Sequence, residues 1–156
     1  MGKMVLIGFD LDGTIAETNT SILGLIDRAK VDDADKLVMY EIFYRNVKPI
    51  FSVREFMHEK DEGIIITARN PDDPLIKKIT ERWAAKYFPE FRLIMVGNDE
   101  LLKKSGKWLE WQEDIVERKT KVIKAENVYI YFDDSPTIVD GLRDNGIHAM
   151  QFGGRL

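Results

Sequence analysis

The sequence predicts an α/β fold in which a parallel β-sheet is covered by helices on both faces. Short apolar runs of strand length alternate along the chain with amphipathic segments of helical period. The apolar runs are continuous, which is typical of strands buried on both faces of a sheet. Three of these runs end on polar residues. Because parallel sheets gather ligands at the carboxyl ends of their strands, the sequence also predicts the edge at which a functional site lies.

Length and composition indicate one soluble domain with, at most, a small appendage. The chain has 156 residues, 44% of them hydrophobic and 32% charged, which suffices for a core of useful size. The formal net charge of −4 provides no overall basic field that would draw the protein onto nucleic acid. The chain has no cysteine, which excludes disulfides, thiolate metal sites and cysteine nucleophiles.

The apolar runs are too short for a membrane protein. The longest are about six residues, whereas a membrane-spanning helix needs about 20. The amino-terminal residues resemble a strand and show no signal-peptide pattern. We therefore expect a cytoplasmic protein without a membrane segment.

The first predicted strand is the apolar run Met4–Phe9, which stops at an acidic residue. Asp10, Asp12, Gly13 and Thr14 then place two carboxylates, a glycine and a hydroxyl within five positions. Carboxylates at the end of a buried strand need a positive partner. A divalent metal ion with an anionic substrate behind it fits this requirement.

The next part of the chain is predicted to be helical. Amphipathic segments are indicated at Ile22–Ile26 and Asp33–Val47, and Pro49 ends the second of them. A third helix is expected to begin at Ser52. Because no strand signal lies among these helices, residues 17–59 are predicted to be a small helical cap inserted after the first strand.

The remainder of the chain repeats the alternation of strand and helix. Further strands are predicted at Gly63–Thr67, Arg92–Gly97, Val128–Phe132 and Ile147–Phe152. Helices are expected to begin at Pro74 after Asp73, near Trp108, and at Pro136 after Ser135. They are expected to end before Pro89, near Lys124 and near Asn145. This order predicts a five-stranded sheet.

Acidic residues from separate strands are expected to meet at one edge of this sheet. Asp133 and Asp134 follow the fourth strand, as Asp10 and Asp12 follow the first. Hard oxygen ligands of this kind suit an octahedral cation that keeps some water, which describes Mg²⁺. Thr67 ends the second strand and can donate a hydrogen bond to a phosphate oxygen.

Four motifs in this order resemble the haloacid dehalogenase-like (HAD) superfamily. They are Asp10-x-Asp12-Gly13-Thr14, Ile66-Thr67, Lys119 and Asp133-Asp134. The resemblance implies a Rossmann-like three-layer core formed by residues 1–16 and 60–156, with residues 17–59 as the cap. It also implies a Mg²⁺-dependent phosphatase.

The resemblance assigns the catalytic work to two aspartates. Asp10 is expected to attack phosphorus and form an aspartyl phosphate, and Asp12 to protonate the leaving oxygen and then activate water. The two acids then need opposite protonation, so Mg²⁺ and Lys119 are expected to favour the charged form of Asp10. The cap is expected to exclude water from Asp12 and thereby to raise its pKa.

The binding residues follow from the same resemblance. The substrate phosphate is predicted to be held by Thr67, Ala68 and Lys119. Lys121 is the alternative to Lys119, because the sequence does not decide which of the two lysines faces the site. The predicted metal ligands are Asp10, Asp12, Asp133 and Asp134.

The substrate prediction depends on two shorter motifs. Thr67-Ala68-Arg69 and Thr80-x-x-Trp83 resemble the 5′(3′)-deoxyribonucleotidase branch, although Asn70 and Ala84 depart from its pattern. A nucleotide is therefore the first candidate substrate. A 3′-phosphate on a nucleic-acid end and another small phosphate ester remain alternatives, and so does a non-hydrolytic regulatory domain that accepts phosphate.

Two groups of aromatic residues have both structural and binding interpretations. Tyr40, Phe43 and Tyr44 could stack on a base, but their helical spacing favours a place in the core. A second group contains Trp108 and Trp111 beside three lysines, namely Lys103, Lys104 and Lys107. This group could contact nucleic acid, and a solvated connecting helix is the favoured interpretation.

Overall fold

A five-stranded, all-parallel sheet forms the centre of the protein. The computed structural model describes residues 4–98, 100 and 107–153. The strands are β1 (Leu6–Phe9), β2 (Glu62–Thr67), β3 (Arg92–Met95), β4 (Ile130–Asp133) and β5 (Ala149–Gln151). They lie in the order β3-β2-β1-β4-β5 with every pairing parallel. The predicted α/β class and Rossmann-like sheet are confirmed.

Within the described residues, five α-helices and one 3₁₀ helix connect the strands. They are α1 (Thr20–Asp27), α2 (Asp33–Arg45), the 3₁₀ helix (Phe51–Phe56), α3 (Pro74–Tyr87), α4 (Trp108–Ala125) and α5 (Pro136–Asp144). The third helix of the predicted cap is thus a 3₁₀ helix. Among the described residues, no helix combines the length and apolar character that crossing a bilayer requires.

Side-chain caps fix where two of the helices begin. The Asp73 carboxylate accepts hydrogen bonds from the backbone N–H groups of Leu75 and Ile76, at 3.1 and 3.2 Å. Ser135 Oγ accepts from the backbone N–H of Ile138 at 3.3 Å. Each cap is followed by a proline in the first helical turn, where the missing N–H costs nothing. The predicted starts of α3 and α5 are therefore confirmed.

Each face of the sheet carries its own hydrophobic cluster. Successive residues of β2 point to opposite faces, so Ile65 belongs to one cluster and Ile64 and Ile66 to the other. The first cluster joins the sheet to α3 and to the helical insert, and the second joins it to α4 and α5. Helices therefore cover both faces, as the continuous apolar strands predict.

The helical insert leaves and rejoins the core at a paired neck. The backbone N–H of Glu17 donates to the Lys48 carbonyl and that of Ile50 to the Ile15 carbonyl, both at 2.8 Å. Val53, which follows the neck, is fully buried in the first cluster. Residues beyond Ile50 therefore pack against the sheet, and the division into a cap at 17–59 stays a prediction.

The aromatic residues of α2 contribute to the core. Tyr44 is buried in the first cluster, and Tyr40 and Phe43 pack against it. Trp83 is buried as well, and its indole N–H donates to the Val47 carbonyl at 2.8 Å. The structural interpretation of these aromatic residues is confirmed.

Candidate active site

Three carboxylates meet at the carboxyl edge of β1 and β4. Phe9 and Phe132 are register partners in these adjacent strands, and the Asp10 N–H donates to the Phe132 carbonyl at 2.8 Å. Asp10 and Asp133 therefore leave the sheet side by side. One carboxylate oxygen from each of Asp10, Asp133 and Asp134 lies within 4.8 Å of the others. The predicted meeting of acids from distant parts of the chain is present.

Lys119 lies between two of these carboxylates. Its Nζ is 3.0 Å from Asp10 Oδ1, 2.9 Å from Asp133 Oδ2 and 2.6 Å from the Tyr131 hydroxyl. These contacts employ all three N–H donors of the ammonium group, whose side chain is 2% exposed. Although burial lowers the pKa of Lys119, Asp10 and Asp133 raise it above its ordinary value, so the group stays charged.

The structure distinguishes between the two candidate lysines. Lys121 is 74% exposed and pairs with Glu117 at 3.3 Å on the outer face of α4. Lys119 reaches the carboxylates because its position on the helix faces the sheet. Of the two, Lys119 is the lysine in the site, and its contact with a substrate phosphate stays a prediction.

The surroundings of Asp10 favour its neutral form. Burial and the adjacent Asp133 carboxylate raise the pKa of Asp10 well above its ordinary value, and the ammonium of Lys119 offsets only part of this effect. Lys119 therefore does not by itself hold Asp10 in the charged form. Burial and Asp133 also raise the pKa of Asp134, to about 6.

Asp12 has a different set of partners. Arg69 Nε donates to its Oδ2 at 3.0 Å, Arg69 Nη2 to its Oδ1 at 2.6 Å, and the Thr18 hydroxyl to Oδ1 at 2.6 Å. Burial raises the pKa of Asp12, but Arg69 and Thr18 outweigh it, and the pKa lies below its ordinary value. The expectation of a raised pKa for Asp12 is therefore wrong, because a buried guanidinium neutralises this carboxylate. The Asp12 carboxylate is not one of the three grouped at Asp10, and its place as a metal ligand stays a prediction.

Arg69 links Asp12 to two helices. Its Nη1 donates to Thr80 Oγ1 on α3 at 2.9 Å, and its guanidinium carbon lies 4.2 Å from the centre of the Tyr44 ring on α2. The Arg69 side chain is only 8% exposed. From the sequence, Arg69 and Thr80 are predicted only as parts of motifs, and no partner is predicted for either. Their joint occurrence in those motifs is the signal that points to the contact.

We expect Arg69→Gln to lower the free energy of unfolding by about 1–2 kcal/mol at pH 7. The loss is smaller than for a fully buried pair because the Asp12 side chain is 33% exposed. A carboxyl group with a lowered pKa stabilises the folded state above its ordinary pKa and loses that contribution as the pH falls. The difference from the unchanged protein should therefore shrink below about pH 4.

Urea unfolding at several pH values measures this difference. Arg82→Gln is the matched control, because Arg82 is exposed on α3. Equal stability of the Arg69→Gln and Arg82→Gln proteins at pH 7 would contradict the assigned role of the ion pair.

Thr67 and Ala68 lie at the carboxyl end of β2, next to β1. Thr67 is buried, and its hydroxyl oxygen accepts from the Arg69 backbone N–H at 3.2 Å. The loop after β3 presses against this segment, since a Cβ on Gly97 would lie 1.9 Å from the Ala68 carbonyl oxygen. Both residues occupy the predicted edge, and their contact with phosphate stays a prediction.

Gly13 lets the backbone pass directly beneath Asp134. Its φ is +82°, and a Cβ there would lie 2.2 Å from Asp134 Oδ2. The next residue, Thr14, is fully buried, and its hydroxyl has no hydrogen-bond partner within the described part of the chain. A glycine is therefore required in the first motif because any larger residue would collide with the Asp134 carboxylate of the fourth motif.

We expect Gly13→Ala to displace the Asp134 carboxylate and to weaken Mg²⁺ binding about tenfold or more. The positive φ adds a cost of about 1–2 kcal/mol to folding. Gly24→Ala is the matched control: Gly24 lies in α1 with nothing within 4 Å of its added Cβ. That change should raise the free energy of unfolding by about 0.5–1 kcal/mol.

Calorimetric titration with Mg²⁺ and urea unfolding test both variants. Unchanged Mg²⁺ affinity in Gly13→Ala would show that the position of Asp134 is not set by this contact.

Comparison with known proteins supports the fold. No family model and no curated protein matches the chain. A chain in the Pnkp1/Rnl/Hen1 RNA repair complex is similar over 97% of this chain and 44% of its own length, with a TM-score of 0.58 and 17% identity. A HAD-family enzyme from Bacteroides thetaiotaomicron, solved with magnesium and inorganic phosphate, is similar over 99% of this chain and 97% of its own, with a TM-score of 0.53 and 12% identity. This chain thus spans less than half of the RNA-repair chain, and at these identities the likeness is one of fold: the protein has the fold of HAD-family enzymes.

Proposed function

We propose that the protein is a cytoplasmic, Mg²⁺-dependent phosphomonoester hydrolase of the HAD superfamily that acts through an aspartyl phosphate on Asp10. The observation that carries the proposal is the convergence of Asp10, Asp133, Asp134 and Lys119 at one edge of a parallel sheet. The HAD-type fold adds support, since a solved enzyme of similar fold binds magnesium and phosphate.

The charge of the site fits a divalent cation. Three carboxylates and one ammonium group leave a formal charge of −2 when all four groups are ionised, and Asp12 and Arg69 neutralise each other. Carboxylate oxygens are the ligands that Mg²⁺ prefers. Bound there, the ion would supply positive charge to the phosphate oxygens and favour the ionised form of Asp10.

The proposed reaction has two displacement steps. In the first, a carboxylate oxygen of Asp10 attacks phosphorus, and the bond from phosphorus to the ester oxygen breaks. That oxygen takes a proton from Asp12. In the second, Asp12 removes a proton from water, which attacks the acyl phosphate, releases phosphate and restores Asp10. Lys119 holds Asp10 Oδ1 in place, and Thr67 and Ala68 contact the phosphate oxygens.

The contact between Asp12 and Arg69 bears on the first step. Because Arg69 lowers the pKa of Asp12, the carboxyl group is charged in the structure and suited to act as a base. Acting as an acid requires Asp12 to part from Arg69. A phosphate ester that enters beside Arg69 would favour this change, because its oxygens compete for the same guanidinium donors.

The proposed substrate is a nucleotide. The Thr67-Ala68-Arg69 and Thr80-x-x-Trp83 motifs support this choice by resemblance to the nucleotidase branch. A second candidate is the terminal 3′-phosphate of a nucleic-acid strand. The observation in its favour is the fold shared with a chain of an RNA repair complex.

A phosphate-release screen tests the proposed function. The substrates are nucleoside monophosphates, sugar phosphates and 3′-phosphorylated oligonucleotides, each with and without Mg²⁺. We expect many turnovers that require Mg²⁺ and are lost in Asp10→Asn. Asp140→Asn removes an exposed carboxylate of α5 and should retain full activity. Release of at most one phosphate per protein molecule would instead indicate a phosphate-accepting regulatory domain.

A further inference from the structure

We propose that Trp108 and Trp111 form a base-stacking surface for a single-stranded nucleic acid whose terminal phosphate lies at Asp10. This inference rests on the proposed phosphatase and favours its second candidate substrate, the terminal 3′-phosphate of a strand, over a free nucleotide. The pair lies in a region whose sequence favours a solvated connecting helix.

The tryptophans share a helix face with the lysine of the site. Trp108, Trp111, Ile115 and Lys119 follow one another at intervals of three and four residues, which places them on one side of α4. Ile115 is 1% exposed and Lys119 is 2% exposed, so this is the side that faces the sheet. The two indole rings therefore project toward the same side as the Lys119 ammonium.

The beginning of α4 extends past the carboxyl edge of the sheet. The helix ends at Ala125 shortly before β4 begins at Ile130, so it runs antiparallel to the strands. Lys119 reaches the carboxylates at that edge. Trp108 precedes Lys119 on the same helix by about 16 Å along the axis, at a rise of about 1.5 Å per residue. The tryptophan pair thus lies beyond the carboxyl edge of the sheet, on the side of α4 that carries Lys119.

The pair is shaped to accept another ring. The two indole rings are stacked, with their centroids 5.0 Å apart and an angle of 23° between their planes. Trp111 is partly buried against the second hydrophobic cluster, which fixes the inner ring. Trp108 is 54% exposed. The exposed Trp108 ring thus rests on the immobilised Trp111 ring, and an exposed aromatic ring of this kind can stack on an unpaired base.

The polar edge of the inner ring also lacks a partner. Among the described residues, no group accepts a hydrogen bond from the buried Trp111 indole N–H. Buried indole N–H groups usually have an acceptor. A base or backbone oxygen of a bound strand would provide one after a small movement of the ring.

The distance indicates a strand and not a free nucleotide. Because Trp108 precedes Lys119 by about 16 Å along α4, we expect a mononucleotide held by its phosphate at Asp10 to end short of Trp108 and a few linked nucleotides to reach it. Stacking does not need a basic surface, and the only described lysine beside the pair, Lys107, is matched by Glu110 at 3.4 Å. The net charge of −4 is therefore compatible with this mode of binding, which should depend only weakly on salt.

Substrate length provides the first test. We compare kcat/KM for a 3′-phosphorylated mononucleotide with that for a 3′-phosphorylated strand of about six nucleotides. The strand should be preferred about tenfold or more, and Trp108→Ala should remove most of this preference. Leu109→Ala is the matched control, because Leu109 is 73% exposed on a different side of α4 and should leave both rates unchanged. The proposal would be overturned if the unchanged protein showed no preference for the strand, or if Trp108→Ala retained that preference.

Binding without turnover provides the second test and separates the two proposals. The same oligonucleotide is titrated into the Asp10→Asn protein, and tryptophan fluorescence is recorded at about 50 and 200 mM salt. We expect the strand to quench the fluorescence with an apparent affinity that Trp108→Ala lowers about tenfold. Because the only described lysine beside the pair is matched by Glu110, few counterions should be released and this affinity should change little with salt. If the strand quenches the fluorescence but the unchanged protein releases phosphate from no substrate, the phosphatase is refuted and the stacking surface stands. Release from mononucleotides without quenching by the strand would refute the stacking surface alone.

Discussion

Replacing Lys119 with methionine is expected to lower the free energy of unfolding by about 3–5 kcal/mol at pH 7. Methionine fills most of the space of the lysine but leaves Asp10 and Asp133 facing each other without the ammonium that lies 3.0 and 2.9 Å from them. Both acids are buried, so any negative charge that they carry is poorly screened. The Lys119→Met protein should therefore be less stable than Arg69→Gln and Gly13→Ala.

The pH dependence of the Lys119→Met protein identifies the cause of its instability. Without Lys119 the pKa of Asp10, already raised by burial and Asp133, should rise further. A carboxyl group whose pKa is higher in the folded state binds its proton more tightly there than in the unfolded chain. Lowering the pH from 7 toward 5 should therefore recover part of the lost stability. Added Mg²⁺ should recover part of it as well, because an ion that binds only the folded state stabilises that state.

Urea unfolding with and without Mg²⁺ measures these effects. Lys121→Met is the matched control, since Lys121 is 74% exposed and its loss should change stability by less than about 0.5 kcal/mol. If the two variants were equally stable at pH 7, the Lys119 ammonium would not be the group that holds these carboxylates together.

Replacing Asp10 with asparagine should abolish turnover without unfolding the protein. The variant lacks the proposed nucleophile, so we expect phosphate release to fall by at least about 10³-fold for every substrate. The amide oxygen can still accept the Lys119 hydrogen bond that Asp10 Oδ1 receives at 3.0 Å. The loss of activity should therefore be a loss of chemistry and not of structure.

The stability of Asp10→Asn has a predictable sign. Because the pKa of Asp10 is raised in the folded state, its ionisation costs stability as the pH rises above the ordinary carboxyl value. Asparagine removes that cost, so the free energy of unfolding at pH 7 should be unchanged within about 1 kcal/mol or higher. Asp140→Asn again serves as the control. A variant that retained turnover would show that Asp10 is not the nucleophile.

The sequence predicts the part of the site that depends on strand order. Asp10 and Asp133 each end an apolar run, and parallel strands bring such ends to one edge. Their proximity therefore follows once the strands are recognised. Lys119 could be predicted only with Lys121 as an alternative, because the two lysines lie two positions apart and the sequence does not fix which side of the helix faces the sheet.

Other features could not be predicted because they depend on side chains far apart in the chain. Arg69 pairs with Asp12 across 57 positions, and a long arginine after a strand has many rotamers that reach solvent instead. The Tyr131 hydroxyl lies within 3.0 Å of Asp133, yet a tyrosine in an apolar run is expected simply as a core residue. The protonation of Asp12 depends on the contact with Arg69, which explains why the expectation of a raised pKa for Asp12 is wrong.

The central position of β1 has a consequence for how the protein is made. β1 pairs with β2 on one side and with β4 on the other, and Lys119 meets Asp10 across 109 positions. A nascent chain emerging from the ribosome therefore exposes one side of its first strand until almost all of the sheet has been synthesised. Long-range pairing of this kind slows folding. We expect the carboxylates to converge only in this last stage, so that a partly synthesised chain has no competent phosphatase site.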